Sequence, residues 1–429
     1  MKLLLKGGRV IDPAQNINEI TDILIMDGKI AALGTDLSAD GAEIIDLTGK
    51  YVVPGLIDMH VHLREPGLEY KEDIYTGTRA AALGGFTSIA CMPNTKPVID
   101  NITGIEYVKG RASSVGAVNV YPIGAITKGS EGSELAEIGD MVQSGAVAVS
   151  DDGKPVSNAQ VMRLALEYTK MFGIPVIAHS EDQHLADGGQ MHEGFVSTVL
   201  GLKGIPSVAE EIMIARDCML AEYTGGRLHV AHVSTAGAVE IIRQAKARGV
   251  NVTAEVTPHH LTLTDEAVRS FSSSTKVNPP LRTITDIEAL AAGLADGTID
   301  VIATDHAPHA FEDKDVEYKY APFGISGLET AVGLILEALV HDGIMSLQDV
   351  IKAMTLRPAQ ILGIDKGTLK VGKDADVTAL DLNREWTIDP ARFVSKGRNS
   401  PYAGVHVKGQ AVLTIVAGEV VMQEGRLLK

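Results

Sequence analysis

The stretch Gly55-Leu56-Ile57-Asp58-Met59-His60-Val61-His62 begins as a short β-rich apolar run and ends on two histidines. Seven later stretches repeat that design, at 87–92, 118–123, 146–150, 175–179, 228–232, 252–256 and 300–305. A longer amphipathic or alanine-rich segment follows each of them, the alternation expected of βα units around a parallel sheet. Eight such units close a barrel. The polar residues gather where these runs stop: His60 and His62, Asp151 and Asp152, His179, His232 and Asp305. Barrels place their chemistry at this C-terminal end of the strands. An open α/β sheet collects polar residues there too, so closure is an expectation and not a consequence of the pattern.

Outside the barrel segment the sequence changes character. Residues 1–52 carry short strands and turns, among them Asp22-Ile23-Leu24-Ile25-Met26 before the turn pair Asp27-Gly28. The stretches 375–380 and 411–418 repeat that character. The expected architecture is therefore α/β: a (β/α)8 TIM-type barrel over 53–366, with a small β-sandwich domain composed of 1–52 and 367–429.

At 429 residues, 45% apolar and 22% charged, the chain is long enough for both parts. Its 55 acidic against 38 basic residues give a net charge of −17 without a basic cluster, which argues against nucleic acid as a partner. Cys91 and Cys218 lie too far apart for a thiolate metal motif and read as buried thiols in a reducing compartment. The first ten residues lack the features of a signal peptide, and 331–340 is interrupted by Glu337, short of the roughly 20 residues a membrane span needs. The expectation is a cytoplasmic protein with no membrane contact.

On a strand, a spacing of two puts the imidazoles of His60 and His62 on one face, where a metal can take both. His179, His232 and Asp305 should project into the same barrel mouth. Four histidines and a carboxylate suit zinc or a similar divalent ion, yet they are too many for one catalytic centre with open positions. Two ions need a bridging anion, and both Asp151 and Asp152 are candidates, with Asp152 favoured. Asp151-Asp152-Gly153 also has the composition of a plain turn. His229, His259, His260 and His306 read as residues that support the ligands from behind or as packing residues, and His184, His192, His341 and His406 as solvated ones.

Two motifs carry a resemblance. Asp58-Met59-His60-Val61-His62-Leu63-Arg64-Glu65-Pro66, and Ala303-Thr304-Asp305-His306-Ala307-Pro308-His309 with Lys314 following, resemble the signature motifs of the bacterial class I dihydroorotase family, in the amidohydrolase superfamily. The stretch 367–376 is similar to the terminal β domain of that superfamily. The resemblance implies two zinc ions per subunit, with His60, His62 and Asp305 on one, His179 and His232 on the other, and Asp152 between them. Many cyclic amidohydrolases use a carbamylated lysine as the bridge; here Ser150-Asp151-Asp152 has no lysine at that place, and Lys154 lies two residues beyond. The resemblance also implies substrate contacts at Arg64, Asn94, Asn278, His309 and the backbone of Phe323 and Gly324.

The implied activity is the reversible cyclisation of N-carbamoyl-L-aspartate to L-dihydroorotate in de novo pyrimidine (UMP) biosynthesis. A water activated between the metals would attack the ring amide carbonyl, with Asp305 as general acid and base. The implied assemblies are a homodimer or a complex with aspartate transcarbamoylase. Two rivals remain: a hydantoinase-like enzyme acting on rings without a carboxylate, and a non-catalytic scaffold. The polar stretch 310–324, just after the eighth run, reads as a candidate lid.

Overall fold

All eight apolar runs form parallel strands in the computed structural model, which describes residues 2–428. They are Leu56–Val61, Phe86–Cys91, Asn119–Pro122, Val149–Ser150, Val176–Ala178, Leu228–Val230, Val252–Val256 and Val301–Ile302, here called the first to eighth barrel strands. The first three form one sheet and the last five another. One parallel bridge joins the sheets at each seam, Gly124 to Val149 and Val61 to His306. The seams are thin because the fourth and eighth strands are only two residues long. A side chain strengthens the last seam: Asp58 accepts from Thr304 N at 3.1 Å and from Thr304 Oγ1 at 2.6 Å.

Strands covered on both faces need apolar residues on both, and the two sets separate cleanly. Met59, Ala90, Ile123, Ala148, Ile177 and Val301 fill the interior, while Leu56, Ile89, Val149, Val176 and Val252 pack against the surrounding helices. The helix Ile74–Leu83 presents Ile74 and Ala80 to Ala82 inward, small side chains that let it lie close to the strands. Asp73 caps it by accepting from Thr76 N at 2.7 Å, which satisfies one of its orphan amides.

The terminal segments interleave. Tyr51–Pro54 pairs antiparallel with Val377–Thr387 inside a seven-stranded sheet that contains strands from both ends of the chain. A four-stranded sheet of Lys29–Gly34, Asp22–Met26, Lys2–Lys6 and Glu43–Asp46 faces it across a core that includes Leu3, Ile23, Ile25, Val377, Leu413 and Ile415. Asp27 and Gly28, both at positive φ (49° and 78°), make the tight hairpin between two of these strands. Among the described residues no helix is long and apolar enough to cross a membrane.

Candidate active site

Five of the eight strands deliver the polar cluster to one end of the barrel. His60 lies within the first strand, where the ladder slips between Asp58 and Val61, so His60 and His62 face the axis while Val61 packs outward. Asp152 follows the fourth strand, His179 the fifth and His232 the sixth, and Asp305 lies three residues past the eighth. His60 Nε2 is 3.4 Å from Asp152 Oδ1 and 3.5 Å from Asp305 Oδ1. His62 Nε2 is 3.4 Å from Asp152 Oδ2 and 3.1 Å from Asp305 Oδ1. On the other side, His232 Nε2 is 3.4 Å and His179 Nδ1 3.7 Å from Asp152 Oδ1. Asp152 thus stands between two ligand sets.

These residues fit metal ions. Two ligand atoms about 2.0 Å from one tetrahedral ion sit roughly 3.3 Å apart, whereas a charged hydrogen bond closes to about 2.8 Å. Most of the cluster's separations match the first spacing. His60 Nε2 and Asp152 Oδ1 are buried without a hydrogen-bond partner among the described residues. The ring nitrogens His179 Nδ1 and His232 Nε2 approach to 3.0 Å, a contact that repels unless a proton or a shared cation lies between them. Electrostatics agree. Burial opposes charge on His60, yet Asp152, Glu255 and Asp305 around it hold its pKa well above the usual imidazole value, so the pocket draws positive charge. Burial likewise opposes ionisation of Asp152, but the imidazoles of His60, His179 and His232 hold it well below the usual carboxylate range.

Side chains behind the cluster fix its rings. His60 Nδ1 donates to Glu255 Oε1, and His229 Nε2 donates to Glu255 Oε2 at 3.1 Å. His62 Nδ1 donates to Asn94 Oδ1 at 2.9 Å. On His60 and His62 these contacts place a proton on Nδ1 and leave Nε2 as a lone pair for a metal, while His229 holds Glu255 in place from behind. Asp151 points the other way: its Oδ1 accepts from Ile126 N at 2.9 Å and Thr127 N at 3.0 Å. That anchorage ties the third strand's loop to the fourth strand and leaves Asp152 to face the ions.

Above the cluster lies a cavity of about 290 Å³ lined by every candidate site residue named from the sequence except His60, which is fully buried beneath it, and Asp151, which faces away. Arg64 enters it with neutral partners, donating from Nε to Pro308 O at 3.2 Å; burial pushes its pKa down to about 10. Neither Glu65 nor Glu69 neutralises it: Glu65 takes Arg111, and Glu69 takes Gly67 N. Lys71 Nζ donates to His309 Nδ1 at 3.2 Å, so His309 carries its proton on Nε2 and donates it to Phe323 O at 2.8 Å. Burial, then the charges of Arg64, Lys314 and Lys71, depress the His309 pKa to about 2 and keep the ring neutral. Asn278 Nδ2 donates to Glu181 Oε2 at 2.8 Å. Gly324 N donates to Lys276 O and Gly324 O accepts from Asn399, both at 2.9 Å, so this backbone shapes the wall with its polar groups already engaged.

Arg64, His232 and Asp305 all adopt positive φ, at 61°, 33° and 46°. Left-handed backbone costs a non-glycine residue on the order of 1–3 kcal/mol, and three such residues converging on one cavity mark it as a site where geometry is held against local preference. Three readings of the sequence need correction or addition. His192, expected in solvent, is buried and accepts from Arg282 at 3.2 Å, because Arg282 spans the loops beneath it. Glu255 joins the site as a residue that the sequence signals only by an acidic side chain inside an apolar strand. His259, which the sequence leaves open between a supporting and a packing role, is buried with Nε2 unpartnered among the described residues.

Comparison with known proteins narrows the class. One family profile, described as Dihydro-orotase-like, matches residues 49–238, and another, described as Amidohydrolase family, matches 220–422. The chain is 64% identical over 425 residues to a protein named Dihydroorotase from Pelotomaculum thermopropionicum, covering 99% of each. It is 55% identical over 426 residues to one of that name from Acetivibrio thermocellus, covering 99% of this chain and 100% of that one. Among solved structures, L-hydantoinase (dihydropyrimidinase) from Arthrobacter aurescens superposes with a TM-score of 0.90 at 30% identity, over 100% of this chain and 97% of that one. The dihydropyrimidinase from Brevibacillus agri does so with a TM-score of 0.87 at 25% identity, over 100% and 96%. Barrel and polar cluster together define an amidohydrolase, a hydrolase acting on a cyclic amide. Within that class the chain belongs to the dihydroorotase family.

Proposed function

We propose that the chain interconverts N-carbamoyl-L-aspartate and L-dihydroorotate, a ring-closing step of pyrimidine biosynthesis, in the cytoplasm. The observation that carries this reading is one cavity holding both a histidine and carboxylate cluster and Arg64, a buried guanidinium with no ion pair to an acidic side chain among the described residues. Two zinc ions per chain fit the donor set: His60, His62 and Asp305 would hold one, His179 and His232 the other, with Asp152 shared. Metal bound there supplies Lewis acidity, which acidifies water and polarises a carbonyl at neutral pH. The same reading treats 53–366 as the hydrolase barrel and 1–52 with 367–429 as its companion domain, in a homodimer or an assembly with aspartate transcarbamoylase.

The chain's own residues do the remaining work. Arg64 pairs with the ring carboxylate, a charge-assisted contact made stronger because its head is buried. Asn94 has spent Oδ1 on His62, so its Nδ2 hydrogens remain to donate to substrate. Neutral His309, donating from Nε2 to Phe323 O, braces the facing wall beside Arg64. During hydrolysis Asp305 accepts a proton from the attacking water and returns it to the leaving ring nitrogen; cyclisation runs these transfers backwards. Closure consumes one carboxylate charge and one proton, so the ratio of dihydroorotate to open chain at equilibrium should be higher at pH 6 than at pH 8.

Hydrolysis of L-dihydroorotate by zinc-loaded protein, with dihydrouracil run beside it, tests the reading. Turnover of dihydroorotate alone is expected. Turnover of dihydrouracil alone would favour the hydantoinase-like reading, which the Arthrobacter aurescens structure supports through its similarity. No turnover of either would favour a scaffold.

A further inference from the structure

Lys276 and Lys314 stand behind the cavity wall, 3% and 7% exposed. Among the described residues neither ammonium pairs with a carboxylate; both are held by backbone carbonyls. Lys314 Nζ donates to Ser273 O at 3.0 Å, Lys276 O at 3.4 Å and Pro322 O at 2.7 Å. Lys276 Nζ donates to Tyr318 O and Lys319 O, each at 2.9 Å, and lies 4.8 Å from the centre of the Phe323 ring. The carbonyl of Lys276 also receives Gly324 N at 2.9 Å. The two side chains therefore stitch the segment 311–324 to the segment 273–278, which ends at Asn278, and they do so from opposite directions.

A buried ammonium is costly unless it finds a carboxylate, and carbonyl dipoles solvate it without cancelling its charge. Burial pushes Lys276 down to about 8 and Lys314 to about 7, and the other charges facing Lys314 are the cations of Lys276, Arg64 and Lys71. The nearby acid Asp313 is engaged with Lys71 at 3.0 Å. Fastening a loop does not require charge; apolar or amide side chains would do it at lower cost. A local arrangement that breaks the rule for burying charge points to a use for that charge.

We propose that Lys276 and Lys314 are positioning residues that fix the Phe323 and Gly324 wall beside Arg64 and hold uncancelled positive charge behind the carboxylate end of an anionic substrate. The inference deepens the proposed function and rests on its carboxylated substrate. Lys314, near half protonation at neutral pH, gains its full charge as the substrate carboxylate arrives, and the field of both ammoniums then adds to that of Arg64 at short range, while the acidic surface is screened beyond roughly 8 Å at physiological salt.

Metal-loaded Lys276→Met and Lys314→Met are compared with wild type for bound metal, KM and kcat on dihydroorotate, and hydrogen exchange at the Gly324 amide. Metal content is expected to stay constant, KM to rise about tenfold or more with kcat nearly kept, and Gly324 exchange to quicken. Should a variant not fold, lysine-labelled wild type decides the matter by NMR. Dihydroorotate should raise the apparent pKa of both lysines, and dihydrouracil should not. Unchanged KM in folded variants, parallel loss of metal and kcat, or lysine pKa values indifferent to dihydroorotate would each overturn the proposal. Wild type that does not bind dihydroorotate at all would overturn the substrate instead, and Gly324 exchange in the variants would still test the clamp.

Discussion

At the scale of single residues, the site separates groups that bind from groups that aim them. Arg64→Gln removes the guanidinium but not the histidine and carboxylate cluster. Truncating a buried charged contact costs about 2–5 kcal/mol, so kcat/KM for dihydroorotate should fall on the order of a hundredfold or more, with bound metal unchanged by elemental analysis. Glu255→Gln acts on the other class. It leaves His60 in place but weakens the acceptor that fixes its ring, and metal affinity measured by chelator competition should drop about 10- to 100-fold. A variant holding zinc as tightly as wild type would assign Glu255 to packing alone. The strand-end histidines and Asp305 were legible in the sequence because strand periodicity and a terminal position together dictate where such side chains point. The partition between Asp151 and Asp152 was not, since it depends on amides at 126 and 127 that the fold brings across from the neighbouring strand. The role of Glu255 is hidden for the same reason: its partners, His60 and His229, sit on two other strands.

At the scale of elements, the wall opposite Arg64 is made by a loop and not a strand, and its shape rests on Gly324. This residue has φ 144°, and a Cβ there would lie 2.5 Å from Ala307 O and 3.1 Å from His309 Cδ2. Gly324→Ala is therefore expected to cost about 1–3 kcal/mol from backbone conformation alone and to push His309 from its seat. A lower melting temperature together with a raised KM is the expected pair of readings; a lower melting temperature with unchanged KM would separate the loop from substrate binding. The barrel strands themselves were legible, down to the two shortest, because apolar runs bounded by polar ends survive even where the ladder is two residues long. The seams were not, because bridges such as Val61 to His306 leave no periodic trace in the sequence.

At the scale of the whole molecule, barrel and terminal sheets share buried hydrogen bonds. Thr378 Oγ1 donates to Gly85 O at 2.6 Å and Thr414 Oγ1 to Ala82 O at 2.8 Å, joining the long terminal strands to the first barrel helix and the turn after it. Trp386, the sole tryptophan, lies in the strand Val377–Thr387 and packs against a cluster that includes Leu334 of the barrel segment, so its fluorescence reports on the junction of terminal sheet and barrel while far-ultraviolet circular dichroism is dominated by the barrel helices. The two signals should show one coincident urea transition, and Thr378→Val should shift it by about 1–3 kcal/mol by orphaning a buried carbonyl. Two separated transitions would mean that the units unfold independently. The pairing of Tyr51–Pro54 with a strand that arrives about 320 residues later has a further meaning for synthesis on the ribosome. The barrel must emerge and collapse while the first sheet still waits for its partner, its edge able to capture another nascent chain. Translation that stops before Val377 should thus yield an aggregating product even though every metal-binding side chain has already been made.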